Sequence, residues 1–146
     1  MKWISIPKIE EGTVNEDAVN VLGNLVALSD GAGGGGVFAD LWSKYLVGQI
    51  TAEPISDFRS FDQWISDIWE AFYNECETKA KHEGGMLLNK FYDEGSCATF
   101  VAVWKISDSC CQWIAYGDSV AFHYNFHTKK LEYSYCSLVK QTTILN

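Results

Sequence analysis

The stretch L28-S-D-G-A-G-G-G-G-V-F-A-D-L-W42 decides how this chain folds. It packs five of the protein's 12 glycines behind one aspartate, Asp30, at the junction of two patterns. Upstream, "LVALSD" is an apolar run of strand length. Downstream, Phe38, Leu41, Trp42, Tyr45 and Leu46 fall at i, i+3, i+4, i+7 and i+8, which is one apolar stripe of a helix with period 3.6. A strand therefore ends in a carboxylate, turns through a backbone without side chains and enters a helix.

Outward from that turn, "AVNVL" precedes "LVALSD" as a second short strand. After it, Phe61, Trp64, Ile65, Ile68, Trp69, Phe72, Tyr73 and Cys76 repeat the helical spacing, with Ser60 as N-cap and Gln63 as its capping-box partner. These aromatic stripes read as core packing against a sheet. Residues 82–95, "HEGGMLLNKFYDEG", show glycines without sustained period and read as a connecting loop. Beyond them "CATFVAVW", "CCQWIAYG", "SVAFHYNF" and "LEYSYC" predict strands of an antiparallel meander, and "WISIPKI" predicts one near the start. Strands, two helices, then strands argue an α+β fold with helices covering an antiparallel sheet. No repeat or linker divides residues 1–146, so a single domain is expected.

Composition narrows the function. Nineteen acidic against 11 basic residues give a net charge of −8, which opposes nucleic-acid and anionic-membrane binding and favours a cation. No apolar stretch reaches the length of a membrane span, and no secretory leader opens the chain, so a cytoplasmic location is expected. Five cysteines without a C-x-x-C pair signal neither a disulfide framework nor a zinc site; reduced, mostly buried thiols are expected.

Gly31, Gly33 and Gly36 satisfy G-x-G-x-x-G, so a dinucleotide-binding turn is one reading of the opening stretch. It needs a second parallel strand ending in an acidic residue about 20 positions on. The residues there are "TAEPISDFRSF", without an apolar run, and Asp30 would face a pyrophosphate with like charge. That leaves it a remote alternative. A metal site is the stronger reading. "NEDAV", Asp30 and the "YGDSVAF" turn put acidic residues at three element ends, where carboxylates converge on one sheet edge and suit Mg2+ or Mn2+.

Taken in order, "NEDA", "SDGAGGG" opening a helix, a second helix, "GSCATFVAVW" and "AYGDSVAF" resemble the metal-dependent protein phosphatases, the PPM or type 2C serine/threonine phosphatases. The resemblance runs from about residue 10 to residue 125. It implies a sandwich of two antiparallel sheets flanked by helices, with a two-metal centre at one end. It also implies that Asp30 bridges both metals as the catalytic carboxylate, that Gly31 offers its carbonyl, that Asp17 with Glu16 beside it supplies a ligand or holds water, and that Asp118 serves a further metal. The activity implied is attack of a metal-bridging hydroxide on a phosphoserine or phosphothreonine of a protein substrate. His123 and His127 read as surface or cross-strand residues, and Cys97, Cys110, Cys111 and Cys136 carry no catalytic role.

The chain departs from that family in three ways. It lacks the C-terminal Asp-Gly and Asp-Asn segments that carry two more metal-binding aspartates, so the domain reads as incomplete there. No arginine precedes Asn15-Glu16-Asp17, and Lys8 is the nearest basic residue for a substrate phosphate. Ala32 stands where many relatives have a histidine. Two functions therefore stand side by side: a phosphatase, or a catalytically inactive phosphatase-like domain that binds metal or a partner. Unpaired sheet edges favour a homodimer.

Overall fold

The computed structural model describes residues 14–136 and 141–144. The predicted strand "WISIPKI" and Lys8 lie outside them. Strands β1 (Asp17–Leu22) and β2 (Leu25–Asp30) form a hairpin, and helices α1 (Ala39–Gln49), α2 (Phe58–Glu83) and α3 (Gly85–Glu94) follow. Strands β3 (Phe100–Ser107), β4 (Cys110–Tyr116), β5 (Val120–Asn125), β6 (Lys130–Cys136) and β7 (Gln141–Ile144) complete the order. The fold is α+β. A five-stranded antiparallel sheet runs β1-β2-β3-β4-β7, and β5 pairs with β6 in a separate two-stranded ribbon.

Alternation along the central strands builds two apolar faces. Leu25 and Ala27 of β2, Phe100, Ala102 and Trp104 of β3, and Ile114 of β4 share one face and pack on Leu46, Val47 and Ile50 of α1 and Phe61 of α2. Trp104 is fully buried, and its indole N–H donates to the Thr51 carbonyl at 3.0 Å, so its one polar atom enters the core satisfied. Such side chains stabilise the fold by about 1.5–3 kcal/mol each. On the opposite face Val101, Val103, Trp113 and Ala115 form a smaller cluster, in register with Val26 and Leu28. A sheet apolar on both faces requires cover on both.

Four sequence expectations change. Residues 85–94 are helix α3, because Leu87, Leu88 and Phe91 make a two-turn stripe that packs on Phe72, Cys76 and Ala80 of α2. The glycines at 84, 85 and 95, all at positive φ, punctuate helices instead of filling a loop. The N-cap of α2 is Asp57, whose carboxylate accepts from the Ser60 N–H at 2.8 Å. Ser60 thus lies in the first turn, and Gln63 donates to Asp67. The meander breaks after β4, which takes β7 as its second neighbour, while among the described residues β5 and β6 pair only with each other. Finally, of the four cysteines whose side chains are described, all free, Cys76 alone is buried, and Cys97 is exposed.

Candidate functional site

β1 and β2 place their terminal aspartates side by side. The hairpin register pairs Asp17 with Asp30 directly across the ladder, so both carboxylates rise from the same face of the sheet. Both residues are exposed and line a cavity of about 730 Å³. Leu28 and Val19 continue its wall, and Ser119 and Lys44 enter it from other elements.

Main-chain contacts explain the glycine turn. The Gly31 N–H donates to the Glu16 carbonyl at 3.1 Å, and Gly31 bridges to Ala98. A Cβ on Gly31 would lie 2.6 Å from the Ala39 carbonyl oxygen, and one on Gly36 would lie 2.7 Å from that of Gly95. At Gly33 it would meet the Glu16 carboxylate. Gly34 and Gly35 face open space. The three glycines that match G-x-G-x-x-G are thus the three that neighbouring atoms crowd. Moreover, β2 has antiparallel neighbours on both sides, whereas a dinucleotide-binding turn follows a parallel strand.

Thr99 ties the remaining acidic turn to Asp30. Its N–H donates to the Asp30 carbonyl at 2.8 Å, its carbonyl accepts from the Ser29 hydroxyl at 2.6 Å, and its hydroxyl is hydrogen-bonded to that of Ser119. Gly117, at φ 83°, packs on the Thr99 side chain and lets the β4–β5 turn close. Asp118 sits in that turn, exposed, next to Ser119; Ser119 lines the cavity and Asp118 does not. Glu16 is likewise separated from Asp17. Its carboxylate lies by Gly33 in an adjoining hollow that Asp40 also lines.

The structure therefore brings Asp17 and Asp30 together, holds Asp118 nearby through Thr99, and puts Glu16 and Gly31 behind the turn. Among the described residues no group of three or more His, Cys, Asp or Glu could hold a metal ion. Two adjacent carboxylates suit a hard divalent cation that keeps most of its water, as Mg2+ does. The fuller two-metal ligand set is not assembled by these residues. Lys44, one turn beyond Asp40 on α1 and 3.0 Å from its carboxylate, is the cation that lines this cavity among the described residues. Sequence reading missed it, although "ADLWSK" shows the Asp-to-Lys spacing of an exposed helical pair.

No helix among the described residues is long and apolar enough to cross a membrane. The chain matches no protein-family model, no curated protein and no solved structure.

Proposed function

We propose that this acidic corner binds Mn2+ or Mg2+ and acts on phosphoserine or phosphothreonine of a protein substrate, in the manner of the metal-dependent protein phosphatases. The observation that carries the reading is the Asp17–Asp30 pair facing one cavity, with the Gly-Asp-Ser turn tethered to Asp30 by Thr99. The order of motifs supports it. When bound, the cation would supply an activated water and neutralise phosphate charge. The chain's own contribution is positional. Asp17 and Asp30 hold the cation, the Thr99 hydrogen bonds fix the Asp30 backbone, and Lys44 offers an ammonium to a phosphate oxygen. No cysteine takes part.

A second sheet over the Val101–Trp113 face would complete the sandwich that this reading implies, and the apolar character of that face supports it. A cytoplasmic setting fits the free thiols. The inactive, cation-binding alternative is favoured by one observation, that the described residues gather two adjacent carboxylates and no third.

Phosphate release from a phosphothreonine peptide tests the choice. For the enzyme, release requires Mn2+, disappears in Asp30→Asn and survives Cys→Ser changes, and Lys44→Gln raises KM with kcat retained. Calorimetric Mn2+ binding without turnover selects the binding domain. Absence of Mn2+ binding by the wild type rejects both.

A further inference from the structure

A second cavity, of about 510 Å³, opens on the helix side of the sheet, away from the acidic corner. Its floor is apolar and fully covered: Leu46, Phe61 and Phe100 are buried there. Its rim is aromatic. Phe58 at the start of α2 and Tyr116 at the end of β4 are about half exposed, and Trp42 contributes from α1. The ring centroids of Phe61 and Tyr116 are 5.5 Å apart, and those of Phe61 and Phe100 6.0 Å apart, so the rings form a connected wall.

Among the described residues one charged side chain lines this cavity, Asp62, one turn along α2 from Phe58, and no basic side chain does. Volume and lining match those of small-molecule sites, which are chiefly apolar with few polar groups that fix orientation. Several aromatic rings and a single carboxylate lining one cavity select a particular ligand chemistry. The negative faces of the rings attract a weakly hydrated cation, and the carboxylate neutralises it. A neutral apolar molecule would gain only the rings, and an anion would be repelled by Asp62 and by the net charge of −8.

We infer that this cavity is a binding site for a small organic cation with an apolar body, of the quaternary or substituted ammonium class. The cation sits between Asp62 and the faces of Phe58 and Tyr116, and the apolar body lies on Phe61 and Phe100. The site is independent of the phosphatase reading.

Benzyltrimethylammonium and its neutral carbon isostere, neopentylbenzene, test the inference on the full chain by amide chemical-shift titration. The cation should bind about tenfold more tightly than the isostere, with shifts centred on Phe58–Ile65 and Ser96–Ala98. Asp62→Asn and Phe58→Leu, both at exposed positions, should each bring the cation close to the isostere while leaving the isostere unchanged. Equal affinity of the two probes for the wild type, unaltered cation affinity in Asp62→Asn, or shifts confined to the Asp17–Asp30 corner would overturn it.

Discussion

Asp17 and Asp30 face each other as cross-strand partners at the open end of the β1–β2 hairpin. Directly opposed like charges destabilise an antiparallel pair by about 0.2–1 kcal/mol. Without added cation, Asp30→Asn should therefore raise stability by that order at low salt. Wild type should gain stability on adding Mn2+, and the variant should not. Thermal unfolding with and without Mn2+ reads both effects. A variant less stable than wild type in the absence of metal would show that the aspartate supports the fold.

The glycines of the turn make a second prediction, in which neighbours in sequence behave differently. Gly31→Ala or Gly36→Ala pushes a methyl group into backbone and should cost about 1–3 kcal/mol. Gly34→Ala meets open space and should be neutral or slightly stabilising, through loss of chain freedom in the unfolded state. Urea midpoints compare the three. Equal losses would mean that chain flexibility, not crowding, requires the glycines.

Cys76 makes a third. Burial pushes its thiol up to about 11 from an ordinary value of 9.0, because the thiolate would have to form among Phe72, Ala80 and Phe91. A raised value in the folded state means that the unfolded chain ionises first. The contribution is thus fully present below about pH 9 and is lost as pH climbs through about 11. Stability of the wild type should fall more steeply across that window than stability of Cys76→Ala. In the native protein at neutral pH, exposed Cys97 should react with a thiol reagent well before Cys76 does.

Self-association is the fourth. Leu28 is 50% exposed on the face away from the helices, and Phe122 and Phe126 of the β5–β6 region are 67% and 84% exposed. Surface of this kind drives association. We expect a homodimer at tens of micromolar by light scattering, shifted toward monomer by Phe122→Ser with Phe126→Ser. A wild-type monomer under those conditions would remove the expectation.

Local pattern carried β2, α1 and α2 into view, since each has enough apolar repeats to define its period. The run Phe100–Trp104 likewise reads as a strand, and the structure adds that it is apolar on both faces. Helix α3 is hidden because only three of its apolar side chains, Leu87, Leu88 and Phe91, face the core, exposed Met86 and Tyr92 blur the period, and its flanking glycines look the same as loop glycines. The cap of α2 was misplaced because Asp57-x-x-Ser60 and Ser60-x-x-Gln63 both fit the start of a helix, and helix geometry beginning at Phe58 decides between them. The pairing of Asp17 with Asp30 could be foreseen from a tight hairpin. The roles of Thr99 and Lys44 could not, because each depends on a contact between segments remote in sequence.

One carbonyl oxygen holds more than its own strand. The Glu16 carbonyl accepts from the Gly31 N–H and from the buried Ser43 hydroxyl of α1, joining the approach to β1, the glycine turn and the first turns of the helix at a single atom. Undocking α1 would break the Ser43–Glu16 link, leaving the hydroxyl only the Asp40 carbonyl of its own helix, and release the segment that aims Asp17. The acidic corner and α1 should therefore open as one cooperative unit in native-state hydrogen exchange, and a cation held at the sheet edge would slow exchange of helix amides that it never touches.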